Sequence, residues 1–160
     1  MLFIKFDGVD GEAQDKDHKN WSEVHSISHE IHKAGEGATG SARRRGVVQI
    51  SDISVNKLYD KSSPKLQEAV CTGKVFTKVE IHNTTTYGDG PRVVFQKYEL
   101  KNVAVTSFSS MGSGGGDAVP TETFSLNFEE IKIIYTSYSK EGKKEGNVDF
   151  GWKVGQGQKA

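Results

Sequence analysis

The stretch TETFSLNFEEIKIIYTSY, residues 121–138, decides the fold class. Phe124, Leu126 and Phe128 share one parity, whereas Ile131, Ile133 and Tyr135 share the other. Alternation with period two is the pattern of a half-buried strand, not of a helix. The one change of phase falls at Glu129–Glu130. It predicts a bulge or bend, which a strand needs when it curves around a barrel.

The same period recurs outward from this segment. LFIKF (2–6) is short and apolar, and NWSEVHSISHEIH (20–32) alternates from Glu23 onward. GVVQISDISVNKL (46–58) is β-branched and half polar, and RVVFQKYELKNVAVTSF (92–108) is another long run. KVFTKVEIHN (74–83) sets Val75, Thr77, Val79 and Ile81 on one expected face. One helix interrupts the strands, at SSPKLQEAVCTG, with expected bounds 63–72. Ser63 is suited to cap it, Pro64 to be its first residue, and Gly73 to be the left-handed residue beyond its end. Leu66, Ala69 and Val70 form its apolar stripe, to be packed on the sheet. Two Gly-rich loops are expected, at 33–46 and 109–120. A polar C-terminal extension follows from 139, with Trp152 as its anchor. The reading is a single mainly β domain over residues 1–160.

Composition narrows the function. Lys+Arg and Asp+Glu both number 21, whereas a protein that grips nucleic acid carries a basic excess. Zero net charge also removes the self-repulsion that keeps copies apart. There is one cysteine, Cys71, so no internal disulfide is expected. The opening MLFIKFDGVDGE has no basic n-region and is not read as a Sec signal peptide. No apolar run approaches the ~20 residues that cross a bilayer as a helix, so no membrane insertion is expected.

The candidate sites are weak as chemistry. Gly35, Gly37 and Gly40 spell G-x-G-x-x-G, but they run into a strand start, whereas a dinucleotide loop opens a helix. The acidic segment from Asp7 to Asp17 departs from a calcium loop, and turns at Asp7–Gly8 and Asp10–Gly11 account for it. On a strand, His25 and His29 share a face but lie ~13 Å apart, and His32 points away. No metal or cofactor is expected. Cys71 is expected to be a small buried hydrophobe on the helix. Glu129 and Glu130, adjacent in a strand, are expected on opposite faces and not as an acid–base pair. No nucleophile elbow is present. Arg43, Arg44 and Arg45 are too few, and lack the aromatic partners, for a nucleic-acid groove. A solvated loop or a contact to another copy remains.

Four segments in order resemble the Hcp (haemolysin-coregulated protein) family of bacterial type VI secretion systems. They are FIKFDGVDGEAQDKDHKNW (3–21), VQISDISVNKLYDKSSPKLQEAVCTGK (48–74), YELKNVAVTSFSSMGSGGGDAVPTETFSLNFEEIKIIY (98–135) and GNVDFGWKVGQGQKA (146–160). The resemblance implies a β-barrel of two antiparallel sheets with one short flanking helix, similar to phage tail-tube proteins. It implies no enzyme. It implies a homo-hexamer whose rings stack into a tube, expelled by a contractile sheath from a baseplate behind a VgrG spike, with effector cargo in the lumen. Such a protein is made in the bacterial cytoplasm and secreted without a Sec signal. A fused toxin is not expected. The loop holding Gly35, Gly37, Gly40 and Arg43–Arg45 then stands where the family contacts the next ring. Ser26, Ser28 and Glu30, opposite Ile27 and Ile31, would line the lumen. The competing reading is a monomeric β-barrel that binds a small ligand or glycan.

Overall fold

The protein was analysed as a computed structural model, which describes residues 1–33, 47–115 and 118–160. Eleven strands and one helix are described: β1 Leu2–Phe6, β2 Ser22–Val24, β3 Ser26–Ser28, β4 Ile31–Lys33, β5 Val48–Ile50, β6 Ile53–Leu58, α1 Ser63–Thr72, β7 Val75–Thr86, β8 Arg92–Met111, β9 Thr121–Tyr138, β10 Lys144–Lys153 and β11 Gln158–Lys159. The fold is mainly β, antiparallel, with one short helix. The main path runs β11-β10-β9-β8-β7-β1-β2, and β6 pairs with both β9 and β3.

Residues 20–32 were expected as one strand and form three short ones. At His25 the chain changes partner: β2 pairs with β1, β3 pairs with β6, and the His25 amide donates to the Asn56 carbonyl. One residue therefore joins the β2 end of the main path to the β3–β6 branch that pairs with β9. Residues 46–58 break likewise, at Ser51, whose amide donates to the Glu30 carbonyl. β4 and β5 form a separate two-stranded sheet, Ile31 opposite Ile50 and Lys33 opposite Val48. They carry the two ends of the glycine–arginine stretch, whose residues Gly35, Gly37, Gly40, Arg43, Arg44 and Arg45 lie outside the described residues.

The phase switch read at Glu129–Glu130 belongs to three strands at once. Phe76, Val103 and Phe128 stand side by side on β7, β8 and β9, all buried. Three residues along, Val79, Leu100 and Ile131 do the same. Between the two rows, Thr77, Asn102 and Glu129 are exposed, and Asn102 takes a φ of 51°. The sheet is creased along this line, with no slip of register between β8 and β9 there; the slip lies instead between Val105 and Ser107. The crease corrects one expected face. Val75 and Thr77 share parity with Val79 and Ile81 yet are exposed, because the buried side changes between Phe76 and Val79.

The helix occupies the expected span, and Leu66 and Ala69 are buried with Val70 packed beside them. Gly73, at φ 69°, is the left-handed residue that ends it. The expected cap is not formed. Ser62 stands at the N-cap but its hydroxyl bonds to Asp60 rather than to a helix amide, and the Ser63 hydroxyl accepts from the Asp60 amide at 2.9 Å. Cys71 is exposed, not buried. Five residues beyond Leu66, at about 100° per residue, it is turned well away from the stripe.

Residues 109–111 belong to β8 rather than to a loop, and much of the polar extension pairs as β10 and β11. Trp152 anchors β10 opposite Ile131, packed against the core. Phe6, Phe76 and Phe124 meet edge to face or tilted in the core centre.

Candidate functional site

Three surfaces and one buried centre carry the chemistry of the described residues. The first surface is a strip of apolar side chains left in solvent. Tyr135 of β9 lies directly opposite Val148 of β10, and Ile133 lies opposite Phe150. Val148 is 74% exposed and Tyr135 49%. Phe150 stacks on Trp152, with ring centroids 6.4 Å apart. Cross-strand pairing makes this one continuous patch, of the kind that marks a contact site.

The second surface is a face of small polar side chains spread over four strands. Ser26 and Ser28 of β3 stand opposite Asn56 and Ser54 of β6, and these stand opposite Thr123 and Ser125 of β9. Ser109 and Ser107 of β8 continue both rows. Asn56 donates to Thr123 at 3.0 Å, and the hydroxyls of Ser107 and Ser125 are 2.9 Å apart. Of the residues singled out in the sequence, Ser26, Ser28 and Glu30 are exposed and Ile27 is half-buried, as their parity implied. Ile31 differs: it is exposed, because β4 has left the main sheet.

The third is a shallow groove at the crease, lined by Lys101, Asn102, Glu129 and Glu130 among others. Glu129 and Glu130 were expected on opposite faces, but the crease turns both toward this groove. Glu129 accepts from Asn102 at 2.6 Å, and Glu130 pairs with Lys101 at 2.8 Å. Each carboxylate has its own donor, so the pair is not arranged as acid and base.

The buried centre escaped the sequence reading. Lys57 has no solvent exposure, and its Nζ donates to Asp60 at 2.8 Å, to the Leu58 carbonyl at 3.0 Å and to Ser63 at 3.3 Å. Glu122, equally buried, lies 2.7 Å away as an ion pair, and neither of its carboxylate oxygens has a hydrogen-bond partner among the described residues. Burial opposes ionisation of Asp60, but hydrogen bonds from Lys57, Ser62 and Ser22 outweigh it and hold the carboxyl below its ordinary value. The centre ties β6, β9 and the start of α1 together. A signal was available. Lys57 shares parity with Ile53 and Val55, and Glu122 with Phe124 and Leu126, so both charges stood on buried faces.

The acidic N-terminal segment is largely engaged within the chain. Asp10 pairs with Lys5 at 2.5 Å, Glu12 accepts from the Lys61 amide at 3.0 Å, and Asp15 meets His18 and Arg92. No cluster of metal-ligating side chains occurs among the described residues.

Taken together, these features define a class: a creased antiparallel β protein whose sites are surfaces rather than a cleft. The profile of the family described as "Type VI secretion system effector, Hcp" matches residues 3–135. Protein hcp1 of Pseudomonas aeruginosa PAO1 is 33% identical over 160 residues, covering 99% of this chain and 98% of its own. A solved structure described as that of a type six secretion system protein superposes with TM-score 0.91 at 31% identity, over 99% of this chain and 98% of the other. Hcp1 from Salmonella typhimurium shares the fold, with TM-score 0.78 at 24% identity, over 99% and 97%. The chain belongs to the Hcp family of type VI secretion tube proteins, which are secreted structural proteins and not enzymes.

Proposed function

We propose that this chain forms six-membered rings that stack into the inner tube of a type VI secretion machine, with effectors travelling in the lumen. The observation that carries the reading is the Tyr135–Val148–Phe150 strip, apolar area that a lone chain leaves in water. Burying it against a neighbour is favourable by ~25 cal/mol per Å², and zero net charge opposes no such association. The hydroxyl face of Ser26, Ser28, Ser54, Asn56, Thr123 and Ser125 suits a lumen wall, because small neutral groups hold passing cargo of neither sign tightly. Glu30, at the end of this face, adds one negative charge to an otherwise neutral wall. The stretch with Gly35, Gly37, Gly40 and Arg43–Arg45 is assigned to contact with the next ring, and a contractile sheath, baseplate and VgrG spike are the assembly's other partners.

Light scattering tests the reading. Wild-type protein should give a species about six times 17.6 kDa, and Val148→Glu should drive it toward the single chain. A single chain at every concentration of wild type would overturn the proposal. Ser28→Gln should leave the ring intact and reduce retention of cargo; a failure to fold would reverse the assignment of the two faces.

A further inference from the structure

Residues 7–21 fold back as a hook over β1 and β7. Backbone bonds from Gly11 to Asn20 (2.8 Å), from Ala13 to Trp21 (2.8 Å) and from Asn20 to Ala13 (3.1 Å) close the hook on itself. His18 fastens it to the sheet. Its buried ring stacks on Phe3 of β1, with centroids 4.4 Å apart and planes within 4°, and stands edge-on to Trp21 and His82. Its Nδ1 lies 2.9 Å from Asp15 Oδ1, and its Nε2 lies 2.9 Å from Nδ1 of His82 on β7. Arg92, at the start of β8, reaches Asp15. The junction is thus a line of four groups, Arg92, Asp15, His18 and His82, across hook and sheet.

Only one hydrogen fits between the two rings, because two nitrogens in contact need one donor and one acceptor. Asp15 makes His18 Nδ1 a donor. If His82 donates from Nδ1, its Nε2 is the free acceptor, and this atom is buried without a partner. If His18 is protonated, its Nε2 donates as well, and the hydrogen of a neutral His82 must then sit on that same unpartnered nitrogen. Protonating both rings places hydrogens on both facing nitrogens, and the contact is lost.

We infer that the His18–His82 contact is an acid-opened latch, whose double protonation releases the hook from the sheet while the core stays folded. The latch is a property of the single chain and does not rest on the tube reading. The charged groups that act on His82 are His18 from the hook, Glu80 on β7, and Lys97 and Glu99 on β8; Asp15 and Arg92 stand behind His18, and β1 contributes Phe3. Burial first, then His18 and Lys97, lower the His82 pKa to about 4, against the pull of Glu80 and Glu99. With the hook swung away, His82 meets water and titrates near 6.5. Between these values the open form binds more protons, so opening grows by up to about tenfold for each unit the pH falls. Above the higher value this contribution keeps the latch shut.

Hydrogen exchange of the wild-type protein, corrected for intrinsic rates, tests the latch from pH 7 down to 4. Once off the sheet the hook loses the bracing of its internal bonds, so the Gly11, Ala13 and Asn20 amides should lose at least about tenfold in protection as His82 titrates, while the β7–β8 ladder keeps its own. His82→Asn retains a donor where Nδ1 stands but takes no proton, and should leave hook protection flat with pH. Flat hook protection in wild type, loss shared equally with the β7–β8 ladder, or undiminished loss in His82→Asn would each overturn the latch. Should the variant not fold, the wild-type comparison of hook with ladder decides alone.

Discussion

Lys57 on β6 and Glu122 on β9 face each other in register, Nζ 2.7 Å from Oε1, and solvent reaches neither side chain. Lys57 also serves Asp60, so the two partners are not equivalent. Lys57→Met strands two carboxylates and should cost ~3–5 kcal/mol in urea unfolding, the range for breaking a buried pair from one side. Glu122→Leu leaves the ammonium with Asp60 and should cost less. The reverse order would mean that the lysine is held mainly by Glu122.

The crease gives a prediction of its own. Asn102 holds a left-handed backbone, with φ 51°, which asparagine and glycine tolerate and β-branched residues do not. Asn102→Val should destabilise by about 1–3 kcal/mol, whereas Asn102→Gly should be close to neutral in the same thermal melt. Equal effects would place the cost in the lost bond to Glu129.

Leu66 is fully buried and Lys65, beside it on α1, projects into solvent. Leu66→Ala should lose ~2–5 kcal/mol through the cavity it leaves. Lys65→Ala removes only a surface ion pair and should be nearly silent. Denaturant midpoints measured side by side would show whether the helix packs through this face.

For the glycine–arginine stretch, Arg43→Glu combined with Arg45→Glu should leave the ring intact, weaken tube formation and lower secretion. Each ion pair at such a rim is worth ~0–1 kcal/mol, but ring symmetry repeats it at every junction. High salt should weaken wild-type stacking in the same direction by screening. Electron microscopy of tube lengths checks both. Loss of the ring itself would move these arginines from the junction into the ring.

Much of this architecture was legible because strand parity is a local property. Residues 121–138 showed both the strand and its phase switch, since apolar residues occupy one parity at a time. In β7 the same switch was hidden: Val75, Phe76, Val79 and Ile81 place apolar side chains on both parities, and either face could be drawn. β10 was missed because its first half, KEGN, is polar throughout, and the alternation of Val148, Phe150 and Trp152 that follows covers only five residues of an otherwise exposed segment. The hydroxyl face is composed from four strands, and the His18–His82 contact from residues far apart in the chain. Neither has a local signature. Cys71 was misplaced because a short helix leaves its buried arc narrow, and one residue of phase error crosses it.

β7, β8 and β9 succeed one another in the chain and pair in that order, so local turns are enough to build this meander. β6 stands apart: it precedes the helix yet pairs with β9, the last of the three. Closing so long an intervening loop is entropically slow. The edge of β6 that pairs with Phe124 and Leu126 therefore has no partner on the growing chain until β9 has left the ribosome, although β3 is available earlier to its other edge. Until β6 docks onto β9, with β3 behind it, the open edge of Ile53–Leu58 is the part of a nascent chain most exposed to pairing with another copy.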